Sequence, residues 1–162
     1  MPKKSLQNLI DDFRRTFILH AVTSHFVNGL VPIAVLFLGL TLVTANVYFE
    51  HTVIHLFIST ALATPFVFFS GIRDWRVKFH GGRAPIFYRK IKLGIVLAIL
   101  CAVIIFLRMA WPDPLARGGW IAGLYLGCIA LTLPVVTILG HLGGKLAFMV
   151  RQKSPEKPEP GN

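Results

Sequence analysis

His20-Ala-Val-Thr-Ser-His25-Phe-Val-Asn-Gly-Leu-Val-Pro32 decides how this chain is read. It lies near the start of an apolar run from Thr16 to Val43 that carries no Asp, Glu, Lys or Arg. At ~1.5 Å per residue such a run outreaches a ~30 Å hydrocarbon core, so it predicts a membrane helix that tilts or protrudes. Two imidazoles inside it are the anomaly. Ionisable side chains at bilayer depth are costly and are rarely idle.

Three further apolar blocks follow. The second spans roughly Val53 to Gly71, or starts a turn earlier, with Pro65 six residues before its end, where a kink is expected. The third is shorter, Leu93 to Leu107, with Lys92 and Arg108 placed to snorkel at its ends. The fourth runs from Trp120 to Val150, long enough for its end to project into water. Trp111 and Trp120 suit an interfacial aromatic belt.

The polar segments fix an expected topology. Of the 162 residues 54% are apolar, and 17 basic against 7 acidic side chains give a net charge of +10. The basic residues lie between apolar blocks rather than along one face. They therefore read as the positive-inside signature of a membrane protein, not as a nucleic-acid surface. Lys and Arg crowd the N-terminal segment, the loop from Ile72 to Lys92 and the C-terminal end. Between Thr44 and Glu50 there are none. Four spans with both termini in the cytoplasm satisfy every segment.

Leu6, Leu9, Ile10, Phe13 and Phe17 recur at helical spacing beside Lys3, Lys4, Arg14 and Arg15. Residues 1–15 thus read as an amphipathic surface helix, or as a cytoplasmic extension of the first span. Asp11, Asp12, Arg14 and Arg15 before the run do not suit a cleavable signal peptide. Residues 16–150 form the bundle, and 151–162 a Pro-rich disordered tail. The expected fold is an all-α integral membrane four-helix bundle, multi-pass in a bacterial inner membrane. Cys101 and Cys128 lie inside apolar runs without metal-type spacing and read as buried apolar residues. Gly119, Gly123 and Gly127 form a stripe suited to close helix packing, with clearance for a flat cofactor as the alternative.

Six histidines carry what chemistry there is. His20 and His25 are five apart, ~140° around a helix, so they do not point at one centre. His25 and His141 fall at comparable depth from the cytoplasmic side, the placement needed to clamp a haem iron between two helices. Gly140, Gly143 and Gly144 would let a porphyrin approach, and Lys145 could pair with a propionate. The alternative is that each imidazole hydrogen-bonds a neighbouring helix and does nothing more; for His20, near the interface, this is the favoured reading. His51 and His55, four apart on one helix face, suit two ligands of a zinc-like ion, one side of an outer haem, or a proton path for a quinol. Lys78-Phe-His80-Gly-Gly-Arg83 reads as a solvated turn on an anionic leaflet, or as an oxyanion-binding turn.

Three local patterns resemble a broad family of small four-helix bacterial membrane proteins, known as domain of unknown function 2231. They are His20-Ala-Val-Thr-Ser-His25-Phe, Ser70-Gly-Ile-Arg-Asp74-Trp75, and Gly140-His-Leu-Gly-Gly-Lys145-Leu. The resemblance covers Leu19 to Phe148 and implies four helices and, for some members, a haem or redox-partner role. The chain departs from that pattern where a histidine would enter the third span, reading Tyr88-Arg-Lys-Ile-Lys92, and in its additional His51–His55 pair.

The leading expectation is a membrane-bound b-type cytochrome or quinone-linked redox subunit. It would pass electrons between the quinone pool and a partner protein, with haem b held by His25 and His141. His51, His55, His20 and Lys145 are the remaining cofactor candidates. No enzymatic reaction is legible. Lacking a redox domain of its own, such a subunit would work in the lipid bilayer with a redox protein partner or as a homo-oligomer; the rival expectation is a cofactor-free membrane scaffold or assembly subunit, with the Gly stripe and the polar loops as partner surfaces. A metal transporter using His51 and His55 ranks third, because the spans as drawn hold no acidic residue to balance a cation.

Overall fold

The computed structural model describes residues 19–78, 80–82 and 84–153. All regular elements among them are helices: α1 (Leu19–Thr44), α2 (Val47–Lys78), α3 (Pro85–Ala110), α4 (Pro114–Arg117) and α5 (Gly119–Lys153). Four are long and apolar enough to cross a membrane, over His20–Thr44, Val47–Val77, Pro85–Ala110 and Gly119–Leu146. The amphipathic segment expected over residues 1–15 lies outside the described residues. Helix α5 continues to Lys153, three residues into the expected tail, and the rest of the tail is also outside them.

Local chemistry sets the helix ends. Ala45 turns the chain at φ +52°, and Asn46 caps α2, its side-chain oxygen accepting the Tyr48 N–H at 3.0 Å. This cap starts α2 at Val47, two turns earlier than the apolar block alone suggests, and brings Glu50 and His51 into the helix. Pro85 opens α3, where a missing N–H costs nothing, and so adds two turns to the expected third span. Beyond it the expected Pro-broken turn contains the single turn α4, closed by Gly118 at φ +66° and ψ −160°, a conformation only glycine adopts readily.

The four long helices pack in a ring, α1 on α2, α2 on α3, α3 on α5 and α5 back on α1, with the α1–α2 hairpin the most extensive pair. This is the up-down arrangement that short connections enforce. Buried positions on α1 are Val27, Val31, Ala34, Leu38 and Thr41, alternately four and three residues apart. That spacing keeps one seam of a helix against its neighbours over several turns. Tyr125, Ile129, Thr132 and Val136 do the same on α5. Buried threonines satisfy their hydroxyls within their own helices: Thr41 donates to the Phe37 carbonyl, Thr60 to Leu56, Thr64 to Thr60 and Thr132 to Ile129, all at 2.6–2.9 Å.

Candidate functional site

The deepest charges sit at the end of the bundle where α2 begins and α3 finishes. Glu50, in the first turn of α2, pairs with Arg108 in the last turn of α3, Nε to Oε1 at 3.1 Å. Both side chains are withdrawn from the surface, 4% exposed for Glu50 and 12% for Arg108. Each sign stands at the helix terminus whose dipole favours it. The pair lacks the alignment of a hydrogen bond, and the hydroxyl of fully buried Tyr125 on α5 likewise finds no partner among the described residues. Tyr125 lies within electrostatic reach of both charges, and His51 and Asp113 within reach of Glu50. Trp111 covers this end, stacked edge-on against Phe106 and Trp120 with centroids 6.4 and 6.3 Å away.

Two expectations change here. Arg108 does not snorkel to headgroups, because the Glu50 carboxylate holds it inside. The second span does carry acidic residues, Glu50 and Asp74, so the ground for ranking a transporter last is gone; yet Arg108 balances Glu50, and Asp74, at the other end of the bundle, lies within electrostatic reach of Lys90. Asn46 and the acidic first turn that follows it were the sequence signals of this earlier helix start.

At the opposite end of the bundle the first two resemblance motifs touch. His20 Nδ1 lies 3.3 Å from Ser70 Oγ, and Ser24 Oγ 3.5 Å from His20 Nε2. Ser70 commits its one hydroxyl proton to the Phe66 carbonyl at 2.6 Å, so in this contact Nδ1–H of His20 donates and Ser70 accepts. Gly71 makes room for the ring: a Cβ there would stand 3.0 Å from His20 Cε1. Asp74 lies within electrostatic reach of Lys90, whose ammonium passes 3.8 Å from the position a Cβ on Gly143 would take. The connecting loop folds back on Trp75, whose indole N–H donates to the Gly82 carbonyl at 2.9 Å and whose ring faces Phe87. Exposed His80 turns this loop at φ +50°.

His25, His51, His55, His141 and Lys145 are all exposed on the surface of the chain. Asn28 on α1 approaches Gly140 on α5, its Nδ2 being 3.5 Å from the position of an added Cβ. This sets the depths of His25 and His141 within about one turn of each other. The contact also tests the haem. Bis-histidine ligation needs imidazoles approaching from opposite faces of a porphyrin, with its thickness and width between the helices. Here α1 and α5 are in side-chain contact and both rings lie on the surface, so these residues do not fit a haem clamped inside one chain. The described residues contain no group of three or more His, Cys, Asp or Glu placed to hold a metal ion.

The glycine stripe also faces outward. Gly123 and Gly127 are exposed, and a Cβ on either would meet nothing within 4 Å. Their close helix packing is therefore not with another helix of the same chain. Cys101 and Cys128 are buried and free, as expected.

No family model matches the chain, and no solved structure matches it significantly. It is similar to an uncharacterized protein of Archaeoglobus fulgidus, 29% identical over 91 residues, which make up 56% of this chain and 71% of that protein.

Proposed function

We propose that this multi-pass membrane protein is a scaffold or assembly subunit that works by lateral association, the exposed ridge of α5 meeting the same ridge of a second copy. The observation carrying this reading is the open space over Gly123 and Gly127. A Gly-x-x-x-Gly ridge in an apolar helix lets two backbones approach closely enough for dispersion and weak Cα–H contacts to hold them. Such a ridge is complementary to itself about a twofold axis, which favours a second copy as the occupant. The basic segments support a plasma-membrane location in a prokaryotic cell, both termini cytoplasmic, with Glu50 towards the outside.

Association is tested in lipid bilayers. Gly127→Cys should give a disulfide-linked dimer on mild oxidation, while the wild type, whose cysteines are buried, should not. Replacing both Gly123 and Gly127 by leucine should weaken dimerisation at least tenfold. A wild type that stays monomeric at high protein-to-lipid ratio, or leucine variants that associate unchanged, would overturn the reading.

A redox subunit is the second reading, favoured by His25 and His141 standing at matched depth on adjoining helices. Since both rings face outward, a haem would lie between this chain and another protein supplying its far side. A quinone-linked role depends on the same site. A reducible Soret band that disappears in His25→Ala or His141→Ala would establish it; a colourless protein from haem-sufficient cells would remove it.

A further inference from the structure

We propose that His51 and His55 form a two-imidazole site for a divalent first-row transition-metal ion on the exposed face of α2, near its start. The two lie four residues apart on a continuous helix, which sets their Cβ atoms ~6 Å apart on one face. Both are exposed, and they stand about 6 and 12 Å along the axis from the first residue of α2, at the end that carries the Glu50–Arg108 pair.

The hydrogen bond of His55 turns spacing into chemistry. Its Nδ1 lies 2.6 Å from the backbone carbonyl of His51. A carbonyl only accepts, so Nδ1 carries the proton, and in the neutral ring the lone pair then sits on Nε2. This neutral tautomer, oriented by a carbonyl behind it, is the form in which histidine binds metals, and the bond raises the basicity of the free nitrogen.

The donors also select the ion. Glu50, next in sequence, is spent on Arg108 and turned into the protein, so the site offers two neutral nitrogens and no carboxylate. Imidazole donors suit Cu2+, Ni2+ and Zn2+, whereas Mg2+ and Ca2+ require oxygen. Among the described residues no third His, Cys, Asp or Glu is placed to join them, which leaves the other coordination positions to water. Binding should therefore be labile and follow the order Cu2+ above Ni2+ and Zn2+.

The full chain in zwitterionic nanodiscs is titrated with the chloride of each metal. One ion per chain is expected, with Cu2+ giving an electron paramagnetic resonance spectrum split by two equivalent nitrogens. His51→Ala and His55→Ala should each weaken binding at least tenfold; Mg2+ and Ca2+ should not compete. The wild-type spectrum answers independently of whether any variant folds. A single-nitrogen spectrum, one ion per two chains, or unchanged affinity in His55→Ala overturns the proposal. None of these readouts depends on whether the α5 ridge associates.

Discussion

Replacing Arg108 by alanine should be among the most damaging single changes in the chain. At 3.1 Å the attraction between Arg108 and Glu50 is about 5 kcal/mol at an effective dielectric of ~20. Most of that attraction offsets the cost of withdrawing the two charges from water. Arg108→Ala removes it while leaving the carboxylate buried, which in comparable pairs costs about 3–5 kcal/mol. The reverse change is milder. In Glu50→Gln the long stem of Arg108, 12% exposed in the last turn of α3, can carry its charge out to the interface, at a cost of about 1–2 kcal/mol. The double variant Glu50→Gln/Arg108→Ala should cost no more than about 2 kcal/mol, well below Arg108→Ala alone, because neither charge is then stranded. Unfolding of the four proteins in mixed micelles by denaturing detergent closes the cycle, and the coupling should be at least ~2 kcal/mol. An Arg108→Ala cost below ~1 kcal/mol, or additive single costs in the double variant, would show that the pair is solvated and the reasoning wrong.

Other outcomes follow from the same contacts. Tyr125→Phe removes a buried hydroxyl that has no partner among the described residues, so stability should be unchanged or raised by up to ~1 kcal/mol in the same unfolding assay. Gly71→Leu must displace the His20 ring from Ser70 and should cost about 1–3 kcal/mol, clearly more than Gly71→Ala; equal melting temperatures for the two would refute this packing. His25→Ala/His141→Ala changes only exposed side chains and should shift the stability of the isolated chain by less than ~0.5 kcal/mol. Trp75→Phe loses the bond to the Gly82 carbonyl, about 1 kcal/mol, and should speed proteolysis in the loop between α2 and α3.

Which segments are helical and apolar was decided by the sequence alone. Hydropathy is local and adds along the chain, so four blocks announce four spans whatever their partners. The start of α2 was legible too, in Asn46 followed by an acidic first turn, although the apolar block by itself conceals it. Which way each helix faces was not. In water a polar face marks the outside; in lipid both faces are apolar, so little along α1 or α5 distinguishes inside from out. The tertiary structure therefore decided what periodicity could not: His25 and His141 lie on the surface, His20 is seated on Gly71, and the glycine stripe looks away from its own bundle. It also decided the fate of Glu50 and Arg108. Residues 58 positions apart look like separate interfacial charges until antiparallel packing of α2 and α3 sets them 3.1 Å from each other, and only a fold can make that pairing.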